Sequence, residues 1–513
     1  MNPYLTIEVI HSPTASLSSL KVDCLALLIG PNDAILDALT ESDSLRQALK
    51  QFGSGQKPVH LPLAPDAVAA QQLLLCQLGT SPNLPIQRHC LKALTQLAHA
   101  VVATRAPTVA LSIPEKLPEG IEAQWLMQNM ASALEQACYK YKQTLSAQQN
   151  PDNDADQTLA LKQVSLIVSD DSLELSSQRA GASRGAGIGV GINMARELGN
   201  LPPNICTPAY LANTARQLAE TYDCFELDLL NQQDLEQEKA GALLAVSQGS
   251  TQPPFLFRLK YRQGGSAAAT CALVGKGVIF DTGGISLKPS ANMADMKYDM
   301  SGAGAVLGVM RALAELRPPI NVDGVVAAVE NMPSGCATRP SDVVTSLSGK
   351  TVEILNTDAE GRLILCDALT WAARSNPDIM IDIATLTGAC VVALGHTASG
   401  LYSNDDSLAH KLLAASDKSG DSAWRMPLWE EYNQLLKTSY ADVANISSGG
   451  AAGSITAACF LQRFVGNRSW AHLDVAGTAH KGGTSRASTG RPVGLLLEFL
   501  LNHFYSQDGA VSN

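Results

Sequence analysis

The sequence has few charged residues, few aromatic residues and no long apolar run. Charged residues make up 17% of the 513 residues and aromatic residues 5%, whereas 46% are hydrophobic. This composition excludes a mostly disordered chain. Since no apolar run approaches the roughly 20 residues of a membrane-spanning helix, we expect no membrane span. The first ten residues carry no basic segment followed by a long apolar one, so we expect no secretory signal and a cytoplasmic protein.

Positive charge is in deficit. The chain has 37 Lys and Arg against 48 Asp and Glu, a net charge of −11. Phosphate contacts need clustered Lys and Arg, so nucleic acid is disfavoured as the main partner, although a local basic patch stays open.

Paired cysteine motifs are also missing. The eleven cysteines are an odd number, are scattered, and form no Cys-x-x-Cys pair. Several of them stand in apolar stretches, for instance Cys271, Cys366, Cys390 and Cys459. This pattern predicts buried free thiols in a reducing compartment rather than disulfides or a structural zinc finger.

The length predicts more than one domain, because ordinary domains have about 100–200 residues. In the first third, β-like segments alternate with helix-like segments, which is typical of βαβ units. Strands are predicted at 4–10, 23–29, 73–78 and 164–169, and helices at 33–52, 84–104 and 121–142. We therefore predict a smaller N-terminal α/β domain over residues 1–175, macro-like in its βαβ pattern.

The rest of the chain, residues 176–513, is predicted to form a larger α/β domain with a mixed sheet flanked by helices. Its strand candidates are near-continuous apolar runs, which indicates a sheet covered on both faces. They lie at 255–261, 270–274, 322–329, 351–355 and 379–384, and the helix candidates lie at 301–316, 363–374 and 455–465. The glycines between 185 and 191 follow no convincing strand, so we interpret them as small residues for helix packing rather than a dinucleotide fingerprint.

Two stretches of this second domain interrupt the apolar pattern with charge. The first contains Lys276, Asp281 and Asp299, and the second contains Asp358 and Glu360. Each follows a strand-like run and precedes a helix-like one, where an α/β domain places its site. Asp358 and Glu360 are two residues apart, so in an extended segment both carboxylates face one side.

Four carboxylates in apolar surroundings repel one another and require compensating positive charge. Two divalent cations would supply it, and oxygen-rich ligation suits Mg, Mn or Zn. No histidine occurs between residues 100 and 395, which excludes a histidine-based zinc site there. Lys276 would bind a metal only as the neutral amine. The alternative is a salt-bridge network in which Lys276 and Lys288 are the counter-charges.

The second stretch, Asn356-Thr-Asp-Ala-Glu-Gly-Arg-Leu363, resembles the signature octapeptide of the M17 leucyl aminopeptidase (cytosol aminopeptidase) family. Further segments are similar to family motifs in the same order. They are Asn200-Leu-Pro-Pro-Asn204, Val274-Gly-Lys-Gly277, Phe280-Asp-Thr-Gly-Gly-Ile-Ser-Leu-Lys-Pro289, Met296-Lys-Tyr-Asp-Met300, Glu330-Asn-Met-Pro-Ser-Gly335 and His472-Leu-Asp-Val-Ala-Gly-Thr-Ala479. The resemblance is dense over residues 180–505, and the first domain resembles the family by position and pattern alone.

The resemblance implies an exopeptidase that releases N-terminal amino acids from peptides through a water activated by two metal ions, Mn or Zn. The implied metal ligands are Lys276, Asp281, Asp299, Asp358 and Glu360, with Asp281 and Glu360 bridging the ions. The implied catalytic residues are Lys288, which would stabilise the oxyanion, and Arg362, which would hold a bicarbonate ion as general base. The family also implies peptide substrates as partners and a homohexamer.

The implied substrate-binding residues are Met296, Thr385, Leu386, Gly388 and Ala476. Met296 and Ala476 are apolar, which favours Leu- or Met-like first residues. His480 stands where the family often has an aromatic residue, which leaves details of specificity or packing open. Two other functions are alternative hypotheses. One is an aminopeptidase scaffold with a secondary nucleic-acid- or protein-binding role, and the other is another dimetal hydrolase such as a phosphohydrolase. The core without histidine speaks against the phosphohydrolase.

Overall fold

The computed structural model of the protein describes residues 5–11, 17, 20–30, 57–62, 70–78, 85–146, 160–168 and 175–504. The chain divides into two compact units, Met1–Val190 and Gly191–Asn513. This division falls inside a long helix, Leu175–Asn200, and the boundary predicted near residue 175 lies at the start of that helix. Each unit contains strands and helices, so the predicted α/β class is confirmed.

The first unit contains a six-stranded sheet. Its strands are β1 Thr6–His11, β2 Cys24–Ile29, β3 Val59–Pro62, β4 Gln72–Gln77, β5 Thr108–Ser112 and β6 Gln163–Val168. Their order is β1-β6-β5-β2-β4-β3, and all neighbours pair in parallel except β3 with β4. The helices α1 Ile86–Ala103 and α2 Ala123–Cys138 match two of the predicted helices closely. The third predicted helix, at 33–52, lies outside the described residues.

Strand β2 is buried on both faces because its side chains alternate between two apolar clusters. Cys24, Ala26 and Leu28 pack into the larger cluster with residues of α1 and α2. Leu25 and Leu27 pack into the smaller cluster on the opposite face. A parallel sheet covered on both faces explains why its strands are near-continuous apolar runs.

The second unit is built on an eight-stranded mixed sheet. Its strands are β7 Phe225–Leu230, β8 Phe255–Arg262, β9 Thr270–Asp281, β10 Asn321–Asn331, β13 Ile379–Ala384, β14 Ser399–Ser403, β15 Ala423–Arg425 and β17 Ser469–Asp474, in the order β15-β14-β17-β13-β9-β10-β8-β7. The central strands β17, β13, β9 and β10 run parallel, so their carboxyl ends meet at one edge. A second, three-stranded sheet contains β11 Asp342–Thr345, β12 Thr351–Ile354 and β16 Val443–Ala444.

The helices of the second unit pack on its sheets or on one another. The helix Leu175–Asn200, which joins the units, is counted as α3. The others are α4 Pro208–Thr221, α5 Gln232–Glu238, α6 Gly241–Ser247, α7 Ser301–Leu316, α8 Gly361–Ala373, α9 Gly388–Leu394, α10 Asp406–Ser419, α11 Glu430–Asn433, α12 Gly453–Gln462 and α13 Val493–Phe499. Helix α7 and strand β13 have the predicted bounds, whereas β9 and β10 extend beyond theirs. Sequence patterns did not indicate β14 or β17.

The cysteines behave as their apolar surroundings predict. All eleven are free, and ten are buried; Cys336 is exposed.

Among the described residues, no helix has both the length and the apolarity that crossing a membrane requires.

Candidate metal centre

Lys276 and Asp281, two charged residues of the first stretch, lie in the carboxyl-terminal half of strand β9. Lys276 and Asp281 are five residues apart, so a regular strand would point them to opposite faces. The pairing with β10 contains an irregularity, because Val278 pairs with Val329 but Asp281 pairs with Asn331. Strand β9 therefore holds one extra residue, a bulge, which turns Asp281 to the side of Lys276.

Three other elements bring the remaining carboxylates to this edge. Asp299 stands at the end of the 3-10 helix Met293–Met300, immediately before α7. Asp358 lies in the loop between β12 and α8, and Glu360 precedes the first residue of α8. Carboxylate oxygens of Asp281, Asp358 and Glu360 lie within 4.8 Å of one another. The structure therefore groups the residues that the sequence predicted as metal ligands.

Lys276 lies among these acids and is 2% exposed. Its Nζ is 2.8 Å from Asp299 Oδ1 and 2.8 Å from Glu360 Oε1. The same ammonium donates a hydrogen bond to the carbonyl oxygen of Thr385 at 2.9 Å. A Cβ added to Gly361 would lie 2.8 Å from Lys276 Nζ and 2.6 Å from its Cε, so a larger residue there would force the end of the Lys276 side chain to shift.

Lys288 pairs with the other two acids. Its Nζ is 2.8 Å from Asp281 Oδ2, and it also forms an ion pair with Asp358. The ion-pair network that sequence analysis kept as an alternative is therefore present. If all four carboxylates were ionised, the two lysines would still leave a net charge of −2 on these six side chains.

Burial and mutual repulsion perturb the titration of the cluster. Burial raises the pKa of Asp299 to about 6, although Lys276 opposes this rise. Burial and the charge of Glu360 also raise the pKa of Asp281. Burial alone would raise the pKa of Glu360, but Lys276 and Lys288 outweigh it and lower that pKa. Burial alone would lower the pKa of Lys276, but Asp299 and Glu360 raise it. The acids cannot all ionise here without further positive charge.

Asn331 is a supporting residue that sequence analysis did not assign. Its Nδ2 donates to Asp281 Oδ1 at 2.8 Å and to the carbonyl oxygen of Thr357 at 3.0 Å. Thr357 in turn donates its hydroxyl to the carbonyl oxygen of Gly283 at 2.6 Å. These bonds join the end of β9 to the loop of Asp358. Asn331 falls in a quoted motif, but nothing in its spacing indicates this contact.

Arg362 lies in the first turn of α8 and is buried. Its Nη1 donates to the carbonyl oxygen of Asn445 at 2.6 Å, while its Nε is buried with no hydrogen-bond partner among the described residues. Burial lowers the pKa of this guanidinium to about 10, against the opposing effect of Glu360 and Asp474.

The acidic cluster opens into a cavity of about 500 Å³. Every residue of the predicted site lines this cavity except Arg362. The predicted substrate-binding residues are among them: Met296, Thr385, Leu386, Gly388 and Ala476.

The cavity is also lined by residues that sequence analysis did not assign individually to the site. They are Asn292, Asp295, Tyr298, Thr387, Val391, His396, His480, Gly482 and Gly483. The ring of His480 stacks on that of Tyr298, with centroids 4.6 Å apart and planes 11° apart. The departure from the family pattern at residue 480 therefore falls in the cavity wall.

The arrangement thus combines an oxygen-rich cluster able to hold divalent cations with an adjoining cavity whose wall includes Met296, Leu386 and Ala476.

Comparison of the sequence with known proteins identifies its family. The sequence profile of the cytosol aminopeptidase family, catalytic domain, matches residues 193–497. A probable cytosol aminopeptidase of Thioalkalivibrio sulfidiphilus is 50% identical over 79% of this chain and 81% of its own length. One of Nitrosomonas eutropha is 46% identical over 85% of this chain and 86% of its own. One of Paraburkholderia xenovorans is 45% identical over 93% and 95%.

The protein is accordingly an enzyme, a hydrolase of the peptidase class. It belongs to the cytosol aminopeptidase (M17, leucyl aminopeptidase) family, as the resemblance of its motifs indicated, and this family is metal-dependent.

Proposed function

We propose that this protein is a metal-dependent exopeptidase that releases N-terminal amino acids from peptides, with Leu- and Met-like first residues preferred. The observation that carries the proposal is the cluster of four carboxylates and Lys276 at one end of a cavity large enough for a short peptide. We further propose that it acts in the cytoplasm on peptide substrates.

The donor set fits a pair of divalent cations. Oxygens dominate it, as Mn and Mg prefer and as Zn accepts. Asp299 Oδ2 and Glu360 Oε2 are buried without a hydrogen-bond partner among the described residues, which is costly unless a cation binds them. Two dications would also neutralise the net charge of −2 that the lysines leave, with charge to spare for an anion or the deprotonation of Lys276.

Five residues would hold the two ions, Mn or Zn: Lys276, Asp281, Asp299, Asp358 and Glu360. The family resemblance implies that Asp281 and Glu360 would serve both ions, and their carboxylate oxygens lie within 4.8 Å of each other and of Asp358. When bound, such a pair of ions supplies a nucleophilic water near neutral pH and polarises the scissile carbonyl.

The chain's own cationic residues would act on charge that develops during the reaction. Lys288 lines the cavity beside Asp281, where its ammonium can stabilise an oxyanion. Arg362 would hold a bicarbonate ion as general base. Its position in the first turn of a helix and its unpartnered, buried Nε both favour an anion.

The wall of the cavity supports the proposed preference for the first residue. Met296 and Ala476 supply apolar surface, while Thr385, Leu386 and Gly388 belong to the segment that leaves strand β13 beside the acids. Each Å² of apolar side-chain surface that leaves water on binding contributes about 25 cal/mol to the binding free energy, so a Leu or Met side chain is favoured over a small one.

We also propose a homohexamer. Trp424, Trp429 and Tyr440 are 64%, 64% and 78% exposed, and large exposed apolar side chains are typical of surfaces between subunits. A secondary nucleic-acid-binding role gains no support from the net charge of −11.

Hydrolysis of Leu-p-nitroanilide by purified protein tests the proposal. We expect activity that exhaustive chelation abolishes and that added Mn²⁺ or Zn²⁺ restores, together with two metal ions per chain. Full activity in chelated protein shown to be metal-free would contradict the metal centre. A phosphate ester hydrolysed in preference to the anilide would favour the phosphohydrolase instead.

A further inference from the structure

Asp474 is a buried carboxylate that the proposed chemistry does not use. It is the last residue of β17 and is 0% exposed. Its Oδ1 accepts hydrogen bonds from the backbone N–H of Leu386 at 3.2 Å and of Ala476 at 3.1 Å. Its Oδ2 accepts the hydroxyl of Thr387 at 2.7 Å. All three donors belong to residues that line the cavity.

The strand register explains why one carboxylate reaches two loops. Asp474 lies opposite Ala384, the last residue of the parallel strand β13. The N–H of Val475 then donates to the carbonyl oxygen of Ala384 at 2.8 Å. The two loops therefore leave the sheet side by side, and Asp474 bonds to both just beyond the point where they leave.

Thr387 carries this contact into helix α9. Its Oγ1 also accepts the N–H of Cys390 at 3.1 Å, as the N-cap of that helix. A hydroxyl has one proton, which here is donated to Asp474, so its lone pairs are left for the N–H of Cys390. Asp474 thereby fixes the side-chain orientation of the N-cap and the start of a helix that places Gly388 and Val391 in the cavity wall.

The other end of the same loop is bound to the acidic cluster. Thr385 accepts from Lys276 through its carbonyl oxygen at 2.9 Å and donates its hydroxyl to Asp299 Oδ1 at 2.7 Å. The segment from Thr385 to Thr387 is thus fixed to the metal centre at its first residue and to Asp474 at the next two.

We propose that Asp474 is a positioning residue that sets the distance between the two walls of the pocket for the first side chain of the substrate, and so determines selectivity between large and small first residues. This inference rests on the proposed aminopeptidase function. Displacing Leu386 and Ala476 relative to the acids would leave the metal ligands in place, because Thr385 makes its own bonds to that cluster.

Two variants test the proposal by different chemistry. Asp474→Asn replaces an acceptor with an amide N–H that opposes the Thr387 hydroxyl, and Thr387→Val deletes that hydroxyl at similar volume. Thr387→Ser keeps the hydroxyl and should therefore retain the wild-type selectivity between large and small first residues.

Asp405 provides a matched control. Its Oδ1 accepts the N–H groups of Ser407 and Leu408 at 2.8 and 3.1 Å, and its Oδ2 accepts the Ser469 hydroxyl at 2.7 Å. It therefore has the same set of donors as Asp474, but Ser469 is at the opposite end of β17.

We expect Asp474→Asn and Thr387→Val to lower the ratio of kcat/KM for Leu-p-nitroanilide over Ala-p-nitroanilide about tenfold, since a small displacement in a pocket costs that much or more. Metal content per chain should equal that of the wild type, and Asp405→Asn should leave the ratio unchanged. An unaltered ratio in both test variants, or metal lost from either holoprotein, would overturn the proposal.

Hydrogen exchange separates failure of this inference from failure of the proposed function. In Asp474→Asn holoprotein we expect faster amide exchange over residues 385–394 and 475–478, with unchanged exchange in β9. Exchange at the wild-type rate over residues 385–394 and 475–478 would refute the positioning role, whatever substrate the enzyme hydrolyses. Wild-type protein that cleaves neither anilide, with the expected change in exchange, would refute the aminopeptidase function alone.

Discussion

Lys288 Nζ lies 2.8 Å from Asp281 Oδ2, so the proposed oxyanion stabiliser is in contact with a proposed metal ligand. Lys288 carries its charge here, because Asp281 and Glu360 raise its pKa against the effect of burial. A lysine held positive at the edge of the cluster repels a cation in the ground state and attracts an oxyanion in the transition state.

Replacing Lys288 with alanine should therefore slow turnover without loss of metal. Removing one oxyanion stabiliser costs on the order of 10²–10³ in kcat. Metal affinity should stay equal or increase, because the acids lose a competing counter-charge. Steady-state kinetics and metal analysis of the variant check this, with Lys288→Arg as the variant that retains charge. Loss of an ion from Lys288→Ala would make Lys288 part of the metal site.

The carboxylate cluster was predictable from sequence because its residues lie in two short stretches of unusual charge. The two-residue spacing of Asp358 and Glu360 predicted that their carboxylates face one side. The position of Lys276 and Asp281 near the end of a predicted strand placed them at the expected edge of the sheet. The bulge in β9 that turns Asp281 toward Lys276 was not predictable, since it arises from pairing with β10.

The cavity wall shows where sequence reasoning stops. Val391 and His396 follow strand β13 whereas His480 follows strand β17, and they meet because these two strands are neighbours in the sheet, which no local pattern contains. Strand β17 was missed as well: its six residues, Ser-Trp-Ala-His-Leu-Asp, alternate imperfectly, because His472 and Asp474 are polar yet fully buried. Hydrogen bonds with distant segments offset the cost of this burial. The ring of His472 bonds to Asp382, and Asp474 accepts hydrogen bonds from two loops.

The two carboxylates proposed to contact both ions should be the most sensitive to substitution. We expect Glu360→Gln and Asp281→Asn to lose metal and activity together, because each change weakens both ion sites at once. Asp323→Asn is the control: this acid is equally buried in the neighbouring strand β10, but it pairs with Arg262 and the Ser375 hydroxyl. Two ions per chain in Glu360→Gln or Asp281→Asn would contradict the assignment.

Metal affinity should fall as the pH drops through about 6. Burial raises the pKa of Asp299 to about 6, so below that pH its carboxyl carries a proton that competes with a cation. Lys276, whose pKa its acidic neighbours raise, must also release a proton before its nitrogen can bind a metal. Both effects have the same sign: binding releases protons, and affinity increases with pH.

Calorimetric titration of chelated protein with Mn²⁺ between pH 5 and 8 measures this dependence. Each bound proton that must leave weakens binding about tenfold per pH unit below its pKa. Buffers of different ionisation enthalpy give the number of protons released. A dissociation constant that is the same at pH 5 and pH 8 would show that neither Asp299 nor Lys276 binds metal.

Arg362 should act on turnover and not on metal content. It is buried and is not a lining residue of the cavity, and its Nε lacks a hydrogen-bond partner among the described residues. We expect Arg362→Ala to lower kcat at unchanged metal content, and added bicarbonate to restore part of the rate if the guanidinium holds that anion. Arg463→Lys, which alters an arginine bonded to Asn433, serves as control. Rescue by chloride equal to that by bicarbonate would exclude a basic anion.

Ala476 should set the size of the accepted first side chain. Its side chain lines the cavity, and its N–H bonds to Asp474 whatever the side chain. Ala476→Leu fills the space that a Leu or Met side chain would use, so kcat/KM for Leu-p-nitroanilide should fall about 10- to 200-fold relative to Ala-p-nitroanilide. Ala476→Gly removes a methyl group and should shift selectivity toward larger residues such as Phe. Steady-state kinetics with Leu-, Ala- and Phe-p-nitroanilide test this prediction. An equal loss of kcat/KM for all three substrates in Ala476→Leu would place the first side chain elsewhere in the cavity.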